Sequence, residues 1–408
     1  MQCRHCNSIL KDVFLDLGTA PPTNAYLNID EISLPEKIYP LKLYVCNKCF
    51  LVQTNVEVSS KEIFNNDYAY YSSVSSTWLE HAFKYTKLII EKMNLGKESF
   101  VLEIGSNDGY LLRNFVNSEI PCLGIEPAGG TAEVAKAAGV PVINEFFDMS
   151  LAIKLAKTGK HADLIIGNNV YAHVPNINDF TLGLKTLLKP EGIITLEFPH
   201  LLNLIKFNQF DTVYHEHYSY FSINTVQRIF QKAGLKIFDV EKLTTHGGSL
   251  RAYGCHSEDN TKQTSSSVIN LIEEEEAFGL KDINFYLKFQ AKIDKVIKDL
   301  VLFLEEQKNN GKKIIAYGAA AKGNTLLNYG KINGKFISFV CDAAPSKQGK
   351  YMPGNHIPIL PPSEISKYKP DLVLILPWNL QKEIIKQNSH VKDWGGKFVI
   401  AIPKLSVI

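Results

Sequence analysis

Val101-Leu-Glu-Ile-Gly-Ser-Asn-Asp-Gly109 is the most informative stretch of this 408-residue sequence, because an apolar strand runs there into a Gly-x-x-x-Gly turn and then a helix. Glycines at 105 and 109 let a ligand approach the backbone where a Cβ atom would collide, and the helix N-terminus offers free N–H groups. The stretch predicts a cofactor loop. A dinucleotide would favour Gly-x-Gly-x-x-Gly, which is absent from this turn.

Strands and helices alternate on both sides of this loop. A helical pattern over 76–93 precedes it, and a second βα alternation begins at Lys312. The strand-like runs lie at 122–125, 164–167, 192–198, 314–317, 336–341, 371–376 and 398–400. Such alternation predicts parallel sheets covered by helices on both faces. We therefore expect an α/β protein with a doubly wound central domain and a further α/β domain near the C-terminus.

The segment between these two regions, 257–310, is rich in Lys, Glu, Leu and Ile and is typical of long helices. It contains the acidic run Glu273–Glu276. A solvated helix face is the ordinary interpretation of such a run, and we expect no ligand role for it.

Four cysteines form two pairs of equal spacing, Cys3-x-x-Cys6 and Cys46-x-x-Cys49. Each pair aims two sulfurs at one point, which is the spacing of a tetrahedral thiolate site for a structural Zn²⁺ ion. Four unrelated buried or free cysteines are the alternative. The first 65 residues are thus expected to form a small zinc-binding domain, with His5 outside the ligand set.

Composition limits the other functions. The formal charge is +2, from 44 basic and 42 acidic side chains, so bulk affinity for nucleic acid is not indicated. The N-terminus lacks a signal-peptide pattern, and no apolar run reaches the length of a membrane span. We expect a soluble cytoplasmic protein that neither associates with a membrane nor needs an obligate protein partner. The three unpaired cysteines are expected to be small buried hydrophobes.

Polar residues follow the central strands in the order that a cofactor site requires. The Ser-Asn-Asp interior of the loop, with Asn107, resembles the form found in methyltransferases that use S-adenosylmethionine. Glu103 lies near the end of the first strand, and Glu126, one strand later, could accept both ribose hydroxyls. Asn168 and Asn169 follow the next strand, where the adenine or methionine end would lie. Plain βα turns are the alternative.

Longer strings extend this resemblance over the whole chain. The sequence strongly resembles the sugar C-methyltransferases that act on nucleotide-linked 4-keto-deoxysugars. The strings that carry it are the two cysteine pairs, 68–76, 102–110, Asn168-Asn-Val-Tyr-Ala-His-Val-Pro175, Tyr214-His-Glu-His-Tyr-Ser-Tyr-Phe221 and Ala316-Tyr-Gly-Ala-Ala-Ala-Lys-Gly-Asn-Thr325.

The resemblance implies three domains. We expect a zinc-binding domain over 1–65, a Rossmann-like methyltransferase core over 66–256, and a helical connection with a Rossmann-like, nucleotide-sugar-binding domain over 257–408. It also implies that S-adenosylmethionine supplies a methyl group to a ring carbon, usually C3′ beside the 4-keto group of a dTDP-sugar.

Methylation at carbon next to a ketone requires a base and a group that stabilises the enolate. Carried over from the family pattern, His217 is the predicted base. Tyr214 and Glu216 are expected to line the same pocket, with His173 and Tyr68 as positioning or oxyanion groups. In an extended strand Tyr214 and His217 would lie on opposite faces, so irregular backbone is required. A capping or surface role is the alternative for His173, and an aromatic core cluster for Tyr68.

Five further residues are candidates for substrate binding. Tyr70 belongs to the tyrosine string, and His246 and Arg251 flank a Gly-Gly turn where a ligand could approach the backbone. Lys322 and Asn324 lie in a strand–loop–helix motif that resembles a phosphate cradle. A surface charge at Arg251 and a structural βα turn at 318–324 are the alternatives.

Three other functions stay open on the sequence alone. The acceptor could be a GDP-4-keto-6-deoxy sugar in place of a dTDP-sugar, or the reaction could be O- or N-methylation of a nucleotide-sugar, which needs no carbon acid. A zinc-bearing RNA-binding module is the alternative from another class, although the chain shows no basic and aromatic stripe.

Overall fold

The computed structural model of the protein describes residues 1–54, 58–65, 68 and 70–408. Its strands, in chain order, are β1 Asp12–Ala20, β2 Tyr39–Val45, β3 Val52–Thr54, β4 Val101–Ile104, β5 Cys122–Ile125, β6 Val142–Ile143, β7 Ala162–Asn168, β8 Leu188–Pro199, β9 Ser219–Tyr220, β10 Leu235–Leu243, β11 Ser249–His256, β12 Ile314–Tyr317, β13 Val340–Cys341, β14 Ile359–Leu360, β15 Leu372–Ile375, β16 Lys397–Ile400 and β17 Ser406–Val407.

The helices are α1 Ser60–Ile63, α2 Ser76–Met93, α3 Leu112–Asn117, α4 Gly129–Ala137, α5 Met149–Lys157, α6 Ile177–Leu187, α7 Leu201–Lys206, α8 Ile223–Lys232, α9 Ser266–Phe278, α10 Ile283–Leu287, α11 Phe289–Asn309, α12 Ala321–Tyr329, α13 Glu364–Tyr368 and α14 Gln381–Gln387. Short 3₁₀ turns, Phe210–Thr212 among them, join several of these elements. Within the described part of the chain, the helices include none with the length and apolar content that a bilayer crossing requires.

The central sheet has seven strands in the order β10-β11-β8-β7-β4-β5-β6. Strands β4 to β8 run parallel, and β11 alone is reversed between β8 and β10. All four residues of β4 and of β5 are buried, because helices cover both faces of a parallel sheet. The predicted doubly wound α/β core is confirmed, and the carboxyl ends of β4, β5 and β7 meet at one edge.

A second α/β sheet, in the order β14-β13-β12-β15-β16-β17, forms the C-terminal domain. It is parallel except for the final β16–β17 pair. The predicted strand at 336–341 is shorter than expected, since only Val340 and Cys341 pair. The three unpaired cysteines at 122, 255 and 341 are buried, as predicted.

The N-terminal residues form an antiparallel sheet, β1-β2-β3-β9, whose last strand comes from the central region of the chain. Phe14 of β1 stacks on Phe289 of α11 with ring centroids 4.9 Å apart. Cys3, Cys46 and Cys49 are buried in the same apolar cluster as residues of the central sheet. The small module is therefore packed against both larger domains.

The expectation for the acidic run 273–276 was wrong at one position. Glu275 is buried, and its carboxylate accepts from the backbone N–H of Ile223 at 2.7 Å and lies 2.8 Å from His200 Nε2. It therefore caps the first turn of α8. A run of acidic residues therefore predicts a solvated helix face, except where the N-terminus of a neighbouring helix offers hydrogen-bond donors to one of the carboxylates.

Candidate active site

A cavity of about 660 Å³ lies where the three domains meet. Its walls come from the carboxyl ends of β4, β5 and β7, from described residues between Ser59 and Ser72, and from the loop between β12 and α12. The predicted site residues on these walls are Tyr68, Tyr70, Gly105, Asn107, Glu126, Asn168, Asn169, His173, Tyr214, Glu216, His217, His246 and Lys322. One cavity thus brings together most of the predicted cofactor, catalytic and substrate residues.

The loop after β4 is shaped by three residues with left-handed backbone. Gly105 has φ of +71°, and a Cβ atom there would lie 3.0 Å from the Val170 side chain, so glycine is strongly favoured at this position. Asn107, with φ of +49°, donates its backbone N–H to Glu126 Oε2 at 2.8 Å. Ala128, just before α4, donates its N–H to Oε1 of the same carboxylate at 2.9 Å. Glu126 therefore ties the loop to α4 while it borders the cavity.

The end of the cavity next to this loop fits S-adenosylmethionine. Carboxylate oxygens accept more than one hydrogen bond each, so Glu126 can hold ribose hydroxyls besides its two backbone donors. Asn169 follows β7, and its Oδ1 is buried with no hydrogen-bond partner among the described residues. A polar ligand would satisfy that oxygen.

Four predicted site residues lie away from the cavity walls. Glu103 is fully buried behind the loop, and burial raises its pKa well above the usual value. A Cβ atom at Gly109 would lie 3.0 Å from Val140 and 3.2 Å from Ala135, and Asn324 is buried inside α12. The role of these residues in binding stays a prediction.

Arg251 is the fourth, and it is neither at the cavity nor on the surface. It lies in β11, where its Nε donates to Glu197 at 2.8 Å and its Nη1 donates to Glu241 at 2.9 Å. Only 4% of the residue is exposed. The guanidinium is thus paired with two carboxylates of the neighbouring strands. The alternative that Arg251 is a surface charge is wrong.

The 214–217 segment forms a tight turn closed by the bond from the His217 N–H to Tyr214 O at 3.0 Å. The turn brings the Tyr214 and His217 rings into contact, with centroids 4.1 Å apart and planes tilted by 34°. This turn is the irregular backbone that was expected if Tyr214 and His217 were to lie in the same site. The His173 ring meets His217 edge-on at 4.8 Å, so both histidines belong to one cluster.

His217 is held in one tautomer. Its Nδ1 lies 2.9 Å from Thr212 O, and a carbonyl can only accept, so Nδ1 carries the proton and Nε2 keeps its lone pair. Burial, with His173 next in effect, lowers the pKa of His217 well below the usual value. The ring is therefore neutral near pH 7, as a general base must be.

Glu216 is the acidic member of the cluster. Asn24 Nδ2 donates to its Oε1 at 2.5 Å, and the Tyr68 hydroxyl donates to Oε2 at 3.4 Å. Burial raises the pKa of Glu216 to about 7, against the opposing effect of these two donors. Burial also lowers the pKa of His173 to about 4. Glu216 thus changes charge close to neutral pH.

The C-terminal domain contributes two lysines. Lys322, in the first turn of α12, lies 2.7 Å from Asn379 Oδ1 and over the Trp378 ring at 4.7 Å. Lys347 donates to Ala319 O at 2.8 Å, in the loop that precedes α12. Both line the cavity together with backbone at 320–321. Two cations beside a helix start suit a diphosphate.

Two cavity residues, Asn24 and Lys347, were not predicted from the sequence. Each is a single polar residue within a long connection, and no local pattern marks either.

The four paired cysteines form a separate site at the N-terminus. Their sulfurs all lie within 4.8 Å of one another, with 3.5 Å for Cys3–Cys49 and for Cys6–Cys46. Sulfurs at about 2.3 Å from a tetrahedral zinc ion are ~3.8 Å apart, so the cluster fits Zn²⁺. Gln53 Nε2 donates to Cys3 Sγ at 3.2 Å, which supports a thiolate there. Four thiolates leave no coordination position for substrate.

Three family models match the chain in order. The model described as "Putative zinc binding domain" matches residues 3–64, "Methyltransferase domain" matches 78–240, and "C-methyltransferase C-terminal domain" matches 244–403. The C-methyltransferase NovU of Streptomyces niveus is 31% identical over 410 residues, which cover 100% of this chain and 96% of that protein.

Two solved methyltransferase structures share low sequence identity with the chain. A magnesium protoporphyrin IX methyltransferase from Synechocystis PCC 6803 with bound SAM is 14% identical, with a TM-score of 0.36 over 50% of this chain and 100% of that chain. An S-adenosylmethionine-dependent methyltransferase from Clostridium acetobutylicum ATCC 824 is 9% identical, with a TM-score of 0.34 over 44% of this chain and 92% of that chain.

Proposed function

Because the chain belongs to the S-adenosylmethionine-dependent C-methyltransferases, we propose that its acceptor is carbon C3′ of a nucleotide-linked 4-keto-deoxysugar, in first place a dTDP-sugar. The observation that carries this proposal is the single cavity that joins a cofactor loop, a buried His–Tyr–Glu cluster and a pair of lysines. These three parts match the three parts of the reaction: a methyl donor, a carbon acid beside a ketone, and a diphosphate.

In the proposed reaction, Nε2 of His217 accepts the C3′ proton. Its lone pair is available because the Thr212 carbonyl holds the proton on Nδ1. As the C–H bond breaks, the electron pair moves to the C4′ oxygen as an enolate, and a Tyr214 hydroxyl or a His173 N–H can donate to that oxygen. When bound, S-adenosylmethionine would supply the electrophilic methyl group: the bond from this group to C3′ would form as its bond to the sulfonium sulfur breaks, and S-adenosylhomocysteine would leave.

Charge supports a nucleotide-linked acceptor. Lys322 and Lys347 are partly withdrawn from solvent, and both face the cavity. An anion there replaces the water that the ammonium groups lose, which favours a diphosphate over a neutral sugar.

A panel of acceptors tests the proposal. The purified enzyme is incubated with labelled S-adenosylmethionine and with dTDP- or GDP-linked 4-keto-6-deoxy sugars, alongside the matching 4-hydroxy sugars. We expect label on the ring carbon of a 4-keto substrate and loss of deuterium from C3′. Label on oxygen or nitrogen, with C3′ deuterium retained, would refute C-methylation of a sugar, and preference for GDP would reassign the nucleotide.

A further inference from the structure

The connection between β1 and β2 of the zinc module reaches into the cavity. Asn24 lies in this connection, lines the cavity, and donates from Nδ2 to Glu216 Oε1 at 2.5 Å. Ser59, Ser60, Lys61 and Phe64 at the end of the module also line the cavity, and most of its other buried residues belong to the apolar core and the cysteine cluster. One side chain of the zinc module therefore touches the group that titrates near neutral pH.

Further contacts hold this connection against the C-terminal domain. The Tyr26 hydroxyl donates to Ala319 O at 2.6 Å, in the loop that precedes α12. Leu27 and Tyr351 exchange backbone hydrogen bonds, with N···O distances of 3.1 and 2.9 Å. Lys347 lies over the Tyr26 ring at 5.3 Å and donates to the same Ala319 oxygen. The contacts of Tyr26 and Leu27, two and three residues further along the chain, thus position Asn24.

We infer that Asn24 is a positioning residue: its amide fixes the Glu216 carboxylate in the sugar pocket, so that the zinc module takes a direct part in the reaction. The inference rests on the proposed function, in which Glu216 lines the sugar pocket. An amide donor at one oxygen and a phenol at the other match the hydrogen-bonding needs of an ionised carboxylate.

The groups that face Glu216 are Tyr26 from the zinc module, Tyr68 from the segment before α2, Tyr214 from its own turn, and His173 after β7. Burial raises the pKa of each tyrosine and lowers that of His173 to about 4. Glu216, with a pKa of about 7, is therefore the member of this group that changes charge between pH 5 and 9. Turnover should decline as the pH falls through that value.

The test compares Asn24→Ala with Asn28→Ala, an exposed asparagine of the same connection. Hydrogen bonds to a charged acceptor are strong enough that losing one should move the acid limb of the kcat profile up by about one to two pH units. At pH 7, where about half of Glu216 is ionised in the wild type, kcat should fall roughly five- to fiftyfold in Asn24→Ala, while KM for the sugar changes less. Zinc content and S-adenosylmethionine affinity should match the wild type in both variants.

Two further measurements separate positioning from a structural effect. Infrared titration of the zinc-loaded protein, with the Glu216 band assigned through Glu216→Gln, should show the carboxyl protonated at higher pH in Asn24→Ala. In the Glu216→Gln background, Asn24→Ala should cost little further activity. Asn24→Asp keeps the side-chain size but exchanges the donor for a charge, so it should move the titration further upward.

The inference is overturned if Asn24→Ala titrates and turns over like Asn28→Ala, or if its loss of kcat is as large without the Glu216 carboxylate. The infrared titration needs no sugar, so it remains decisive if the acceptor panel fails. A shifted titration without any 4-keto-sugar turnover would refute the proposed function and leave the Asn24–Glu216 coupling intact.

Discussion

Replacement of His217 by asparagine tests the proposed base most directly. The asparagine amide can still donate to Thr212 O, which His217 Nδ1 approaches at 2.9 Å, so the turn at 214–217 keeps that contact. Asparagine cannot accept a proton at neutral pH. We therefore expect His217→Asn to fold, to bind S-adenosylmethionine and the nucleotide-sugar, and to lose turnover.

The size of the loss follows from what the structure removes. A positioned general base contributes roughly a hundred- to ten-thousand-fold in rate, or about 2.7–5.4 kcal/mol of activation free energy. The contact between the His217 and Tyr214 rings, whose centroids lie 4.1 Å apart, is also reduced, which adds a smaller cost in stability. Because the pKa of His217 is held well below its usual range, the wild-type base stays neutral down to mildly acidic pH.

The assay follows exchange of the substrate's C3′ proton with deuterated water in the presence of S-adenosylhomocysteine, so that no methyl group can move. Exchange should disappear in His217→Asn and persist in Glu126→Ala at saturating sugar, since that variant is damaged at the cofactor end. Exchange at the wild-type rate in His217→Asn would show that another group is the base, and Tyr214 or His173 would be tested next.

Three other predictions concern the metal, the cofactor and the diphosphate. Metal analysis should find one tightly held zinc ion per chain, with Cys46→Ser lowering solubility because metal binding also folds the module; a zinc content near zero in protein purified without chelator would contradict this. Glu126→Ala should weaken S-adenosylmethionine binding by roughly 1.5–3 kcal/mol, because its charge-assisted hydrogen bonds are lost, and calorimetry showing unaltered affinity would move the ribose contact elsewhere. Lys347→Ala should raise KM for the nucleotide-sugar roughly tenfold at low salt through loss of one charge-assisted contact. An unchanged KM in that variant, or a loss of cofactor affinity, would place the diphosphate away from this lysine.

Much of the fold could be predicted from local patterns. The helix over 76–93 and the strands at 122–125 and 314–317 have the bounds that their periodicity and apolar runs indicated. Two cysteine pairs of equal spacing predicted a four-sulfur cluster, and the structure brings the four sulfurs together. Such features lie within one segment, where backbone hydrogen bonding, side-chain period and turn geometry are set by nearby residues.

The site itself combines local and distant contributions. The cofactor loop and the 214–217 string could be recognised because each is contiguous in sequence. Their approach to the loop before α12 could not, because that distance depends on how three domains pack. Asn24 reaches Glu216 across 192 residues of chain, and no pattern in the connection between β1 and β2 predicts the contact.

Charged residues show most clearly the difference between what local sequence predicts and what tertiary packing decides. Whether a charge faces water depends on the elements that pack over it, and burial is tolerated only where partners compensate for lost hydration. The sequence by itself therefore determined many of the elements, the two cysteine pairs and the cofactor loop. Tertiary structure alone decided that Arg251 pairs with Glu197 in the sheet, that Glu275 caps α8, and that Asn24 and Lys347 face the cavity, because each depends on contacts between segments far apart in the chain.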